Sequence, residues 1–274
     1  MYPVTYFRAQ SVAEAVALLG ANPEAMPLAG GMTLIPTLKQ RLASPSHLVD
    51  LMRISALHGI AFESGVLRIG AATSHAVVAE SPLVRKVIPA LATLASLIGD
   101  AQIRHRGTIG GSIANNDPAA DYPGAILGLN ATIITDRREI PADDFFTGMF
   151  STALAPDEII VAVQFSQPHR AVYLKHRHPA SGYAVVGVFL ADTSAGARIA
   201  LTGAAPCVMR WTAAEARLVA PEDWSSSNFE GLSLESYHLN DDLGATAAYR
   251  AHLAGVLLRR AIVQLADVSE PAGH

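Results

Sequence analysis

Residues 102–121 read Gln-Ile-Arg-His-Arg-Gly-Thr-Ile-Gly-Gly-Ser-Ile-Ala-Asn-Asn-Asp-Pro-Ala-Ala-Asp, the stretch of this chain richest in groups that can do chemistry. Gly110 and Gly111 follow a hydroxyl residue, Thr108, with Ile109 between. Paired glycines let the backbone approach a ligand and adopt positive φ, so consecutive amide groups can converge on an anion. Arg104 and Arg106 add positive charge just upstream, and Ser112, Asn115 and Asn116 follow the glycines. Asp117 and Asp121 are too acidic to face a phosphate but suit ribose or base hydroxyls. These residue types point to a phosphate-bearing cofactor; a tight turn between two core segments is the structural alternative.

A second stretch repeats the design. Leu28-Ala29-Gly30-Gly31-Met32-Thr33-Leu34-Ile35 has an apolar entry, paired glycines, a hydroxyl residue and an apolar run. Residues 34–42 read as a helix with Thr33 near its start, whose free N–H groups and positive dipole end suit a phosphate. Neither loop is a Walker A loop, since no Gly-Lys-Ser/Thr follows, and G-x-G-x-x-G is absent. Two Gly-Gly-hydroxyl loops suggest a pyrophosphate held from two sides.

The elements that must position these loops follow from periodicity and punctuation. Residues 3–9 form a short strand, and Ser11-Val12-Ala13-Glu14 is a capping box opening a helix that stops at Gly20. Residues 26–29 give a strand into the first loop, and residues 47–51 another, so residues 1–57 make a small α/β lobe. Residues 66–70 alternate as a strand, Thr73-Ser74-His75 caps a short helix, and Pro82 opens a long helix through Ile98. Strands at 131–135 and 158–166 complete a second lobe, 58–170. Residues 171–178, 183–192 and 197–204 read as a three-stranded antiparallel meander. With a helix over 212–219, an irregular polar stretch over 221–240 and a long helix over 245–266, they make an α+β unit spanning 171–274.

Composition narrows the function classes. The 274 residues are 50% hydrophobic and 16% charged, as in a globular chain. A net charge of −4 does not suit a nucleic-acid binder, and no apolar run reaches the ~18 residues of a membrane span. The N-terminus shows no secretory signal pattern, so a cytoplasmic protein is expected. Cys207 is the only cysteine, so this chain holds neither an internal disulfide nor an iron–sulfur cluster of its own. His176 and His178 invite a metal, but no third ligand has suitable spacing, and none is expected. No G-x-S-x-G occurs.

The paired segments 29–33 and 102–112, together with Asp117-Pro118-Ala119-Ala120-Asp121, resemble those of the FAD-binding medium subunits of molybdenum hydroxylases, the xanthine dehydrogenase and carbon monoxide dehydrogenase flavoprotein family. The resemblance covers essentially the whole chain. It implies a two-lobed FAD-binding domain of the PCMH/vanillyl-alcohol-oxidase type and a C-terminal flavoprotein domain. It also implies non-covalently held FAD. Residues 28–35 and 108–112 would form the two pyrophosphate loops, with Asn115 just beyond. Met32 stands where many relatives carry a polar residue, so a side-chain contact there is not implied. Asp121 matches a ribityl or ribose ligand; its alternative is a helix cap. Lys175 matches a lysine near the flavin N1 edge, where a cation would stabilise the charge of the reduced ring; its alternative is a solvated strand lysine. Tyr183 resembles a tyrosine lying over the isoalloxazine, or is an ordinary strand aromatic. Ile98 and Ile159 match apolar cofactor contacts, or are core. Arg104 and Arg106 are left between the pyrophosphate, a partner chain and plain surface.

The resemblance further implies partners: a molybdopterin-containing large subunit and a [2Fe–2S] small subunit, assembled as a dimer of heterotrimers. Electrons would pass from the clusters to FAD and on to an external acceptor. The alternative is a stand-alone FAD-dependent oxidoreductase of the same fold.

Overall fold

A computed structural model describes residues 1–220 and 224–267. At the N-terminal end, the parallel strands β1 (Thr5–Arg8), β2 (Ala25–Leu28) and β3 (His47–Asp50) lie in the order β1-β3-β2. The helix Val12–Ala21 makes the crossover from β1 to β2. Ser11 caps it by accepting from the Glu14 amide at 3.1 Å, while Glu14 accepts from the Gln10 amide at 2.8 Å. Ala15 and Leu19 of this helix pack with Val49, Leu51 and Ile54 into a small core. The helix after the first glycine loop is shorter than its pattern suggests. It spans Leu34–Lys39 and closes as Arg41 takes a left-handed φ of 61°.

The central sheet is antiparallel throughout. It joins β4 (Ile60–Glu63), β5 (Val66–Gly70), β6 (Thr132–Thr135) and β7 (Glu139–Pro141); after a hairpin of β8 (Phe146–Gly148) and β9 (Ser151–Thr152), β10 (Ile160–Ser166) inserts in the middle. The long helix expected from Pro82 to Ile98 is two, Pro82–Val87 and Pro89–Ser96. Pro89 lacks an N–H and crowds its predecessor out of the helical region, so Ile88 sits at φ −138°, ψ 76°. The apolar stripe survives the break: Val84, Val87, Ile88, Leu91, Leu94 and Ala95 are all buried.

The C-terminal sheet runs β11 (Arg170–Arg177), β12 (Ala184–Thr193), β13 (Gly196–Thr202) and β14 (Met209–Arg210) as an antiparallel meander. It therefore has four strands where the sequence pattern gave three. The fourth is two residues long, too short for any alternation to register. β12 is buried along almost its whole length, which explains its unbroken apolar run. One face meets the helix Ala247–Asp267 through Val188, Leu190, Leu253 and Leu257. The other turns Tyr173, Phe189 and Ala200 into the same core as the helix Tyr122–Gly128. The helix expected over 212–219 covers only Thr212–Glu215. Of the irregular 221–240 stretch, residues 221–223 lie outside the described residues, and the rest carries two short 3-10 turns. No helix among the described residues is long and apolar enough to cross a membrane.

Candidate functional site

A cleft of about 490 Å³ runs between the first glycine loop, the 107–121 segment and the 181–183 turn. That volume suits a small-molecule or cofactor site. The first loop leaves β2 at Leu28, whose carbonyl accepts from the Leu51 amide at 2.9 Å. Gly31 turns the chain with φ 75°. Among the described residues, the amides of Gly30, Gly31, Met32 and Thr33 find no acceptor, and Thr33 makes no side-chain cap. A row of unused donors at a helix start is what an anionic group requires.

The second segment differs from the sequence expectation. Ile109 to Asn115 form a helix capped by Thr108, whose hydroxyl accepts from the Gly111 amide at 3.2 Å. Its amides are already used: Ile109 donates to Thr73 O (3.1 Å), Gly110 to Ala71 O (2.9 Å) and Ser112 to Thr108 O (3.0 Å). What it offers the cleft is the Thr108, Ser112 and Asn115 side chains and the bare backbone of Gly111. The paired glycines also divide their labour. A Cβ on Gly30 would stand 2.1 Å from the Arg106 carbonyl oxygen, and one on Gly110 2.6 Å from the Ala71 Cβ. These two glycines let protein meet protein. At Gly111, by contrast, only the capping Thr108 hydroxyl (2.9 Å) and the Ala29 Cβ (3.8 Å) are near.

Asp121 does not cap the helix that follows it. Its carboxylate accepts from the Tyr173 hydroxyl at 2.5 Å and from the Lys175 Nζ at 2.8 Å and 3.0 Å. Burial pushes the Asp121 carboxyl above its ordinary value, with Lys175 pulling it back. Burial and the Asp121 charge push the Tyr173 phenol well up. Lys175 is no solvated strand lysine: its side chain is 2% exposed. It does not line the cleft itself but stands behind Asp121. Tyr183 does line it, at 42% exposure, its phenol raised by burial and by Asp117 and Asp121.

Of the residues singled out in the sequence, Leu28 to Leu34, Ile98, Thr108, Gly110, Gly111, Ser112, Asn115, Asp121, Ile159 and Tyr183 all line this cleft. Ile35 and Ile109 do not: Ile35 lies beneath Gly31, and Ile109 is wholly buried. Ile98 and Ile159 are each at once cleft wall and part of a hydrophobic cluster. Arg104 faces neither phosphate nor solvent alone; it donates to the carbonyls of Ile98 (3.0 Å) and Gly99 (3.2 Å). His178 accepts from the Ala180 and Ser181 amides through Nδ1, and His176 packs edge-on against Tyr249. Among the described residues no group of three His, Cys, Asp or Glu side chains is placed to hold a metal ion.

His75 and Phe150 are among the cleft residues that the sequence pattern did not single out as site residues. His75, read there as part of a cap, is 4% exposed and lines the cleft. Burial, with Arg104 nearby, holds its imidazole down to about 4, so it is neutral at neutral pH. Its Nδ1 is buried and without a partner. Phe150, at the turn between β8 and β9, gave no sequence signal at all.

The residues present fit FAD. The loop that lines the cleft carries unused amides, Gly111 brings bare backbone to it, and Asp121 presents an oriented acceptor for a hydroxyl. Two family models match the chain: the FAD binding domain in molybdopterin dehydrogenase over residues 2–168, and the CO dehydrogenase flavoprotein C-terminal domain over 173–265. The carbon monoxide dehydrogenase medium chain of Hydrogenophaga pseudoflava is 35% identical over 273 residues, covering 94% of this chain and 95% of its own. The nicotine 6-hydroxylase medium subunit of Paenarthrobacter nicotinovorans is 33% identical, covering 95% and 96%. The solved carbon monoxide dehydrogenase from H. pseudoflava that lacks the Mo-pyranopterin moiety superposes with a TM-score of 0.87 at 34% identity, over 97% of this chain and 99% of that one.

Proposed function

The chain belongs to the family of FAD-binding medium subunits of molybdenum hydroxylases, and from that premise we propose how its own residues hold the cofactor and whom it serves. It is the flavin-binding subunit of a multi-subunit oxidoreductase. The bound FAD supplies the ability to accept electrons singly and pass them on singly or in pairs. The amides of Gly31, Met32 and Thr33 bind one side of the pyrophosphate, and the Thr108 and Ser112 hydroxyls the other. Asn115 adds a donor beside them. Asp121 accepts from a hydroxyl of the ribityl or ribose, its orientation fixed by Tyr173 and Lys175. Tyr183 and Ile98 bound the cleft where the C-terminal turn meets it. The row of unbonded amides in the first loop is the observation that carries this reading.

The partners are a molybdopterin-containing large subunit and a [2Fe–2S] small subunit, in a dimer of heterotrimers. Supporting this, the relatives are a medium chain of a carbon monoxide dehydrogenase and a medium subunit of a nicotine 6-hydroxylase, and the single Cys207 cannot by itself ligate a cluster. A two-lobed FAD-binding unit of the PCMH/vanillyl-alcohol-oxidase type, 1–57 and 58–170, followed by 171–274, is consistent with the three larger sheets, of three, five and four strands. The direct test is an absorption spectrum of the purified chain, with identification of whatever heat releases. Flavin bands and released FAD are expected. A colourless chain that refuses FAD both alone and beside its partners overturns the assignment.

A further inference from the structure

Phe150 occupies the turn between β8 and β9 with φ 52°, a left-handed conformation that a bulky side chain seldom takes. Its ring is 58% exposed and belongs to none of the chain's hydrophobic clusters among the described residues. The strain therefore gains nothing from the protein's own core. It is nonetheless firmly imposed. The Asn116 carboxamide nitrogen donates to the carbonyls of Gly148 (2.7 Å) and Ser151 (2.8 Å), bracketing the turn. The Asn116 carbonyl accepts from the Phe150 amide at 3.1 Å. Asn116 is itself fully buried and left-handed, with φ 42°, at the end of the helix that Thr108 opens. One seven-residue helix thus carries the Thr108–Ser112 segment at one end and the clamp on Phe150 at the other. The residue it holds lines the cleft.

We propose that Phe150 is a wall of the cofactor site, its ring packing against a planar ring system of bound FAD, with Asn116 as the positioning residue that holds it there. Strained residues persist where the surroundings over-determine them, and an aromatic face against a flat heterocycle is a contact that repays such placement. The inference rests on the FAD reading. The adenine and the isoalloxazine share the chemistry that would meet Phe150, and the test separates them.

The chain is stripped of cofactor and titrated with FAD and with FMN, following flavin fluorescence, alongside Phe150→Asn, Phe150→Tyr and Asn116→Gly. Failure of the unaltered chain to take FAD counts against the FAD reading rather than against Phe150. Asparagine tolerates left-handed backbone, so Phe150→Asn should unfold at or above the wild-type midpoint while FAD affinity falls about tenfold. Phe150→Tyr, which keeps a ring, retains affinity. Asn116→Gly, which keeps the left-handed backbone but removes the bracket, loses FAD affinity with Phe150 intact. Loss for FAD alone assigns the ring to the adenine; loss for both, with shifted flavin absorption bands, assigns it to the isoalloxazine. Undiminished FAD affinity in Phe150→Asn overturns the proposal.

Discussion

The Lys175 ammonium lies 2.8 Å from an Asp121 carboxylate oxygen, both side chains almost wholly withdrawn from solvent. The same Nζ donates to the Leu97 carbonyl at 2.9 Å and the Gly182 carbonyl at 3.1 Å. One cation therefore ties together the end of the Pro89–Ser96 helix, the acid that lines the cleft and the turn carrying Tyr183.

Removing that cation leaves a buried, uncompensated carboxylate. Lys175→Met is expected to destabilise the chain by about 3–5 kcal/mol in urea unfolding. Adding Asp121→Asn should recover part of the loss, because the stranded charge goes with it. A Lys175→Met cost below about 1 kcal/mol, or strict additivity of the two substitutions, contradicts the pairing.

His75 sets a pH dependence whose sign follows from its environment. Its folded value is about 4 against an unfolded value near 6.5. Between these the unfolded chain binds a proton that the folded chain refuses, so stability rises with pH. The contribution is fully present above about 6.5 and is lost as pH falls to about 4, on the order of 3 kcal/mol over that window. His75→Phe should flatten this part of the stability–pH curve relative to wild type. Equal slopes in the two proteins would show that the imidazole is not kept neutral by burial.

Gly30 and Gly111 separate the two duties of the glycine loops. Gly30→Ala forces a methyl group into the Arg106 carbonyl, 2.1 Å away, so the segments must part and the melting temperature should fall by several degrees. Gly111→Ala meets mainly the Thr108 hydroxyl, and turning that aside costs about 1 kcal/mol of capping, offset by alanine's better helix propensity. It should therefore melt near wild type yet lose FAD affinity, since its methyl group points into the cleft. Wild-type FAD binding by Gly111→Ala would remove this helix from the pyrophosphate site.

Much of this was legible because local chemistry and tertiary structure agree. The Ser11 cap, the strand entering the first loop and the antiparallel meander each follow from residues close in sequence. What could not be read depends on groups brought from afar. The Gly110-Gly111 pair reads as an amide cradle, but its amides are taken by the Ala71 carbonyl, about forty residues upstream, and by the Thr108 hydroxyl. Lys175 and Asp121 are each visible as charged residues, yet only the packing of the helix Tyr122–Gly128 on the C-terminal sheet makes them a pair. Phe150 carries no composition or spacing signal, because its peculiarity lies in a backbone angle. Pro89 is legible in the sequence, but the apolar stripe runs on across it and masks the ring's steric demand on Ile88.

The segment leading from the second glycine-bearing helix to Asp121 is stitched into the C-terminal sheet. Pro118 O accepts from the Gly203 amide at 2.7 Å, Ala120 O from the Thr202 hydroxyl at 2.5 Å, and Ala119 O from the Ala184 amide at 3.3 Å. Phe189 and Tyr173 complete the hydrophobic layer beneath Tyr122. The C-terminal portion is thus the floor on which the cofactor segment is laid. Chimaeras that exchange it between relatives at residue 170 would transplant half of a joint, and they should recover a working cleft only when the 117–121 segment travels with it.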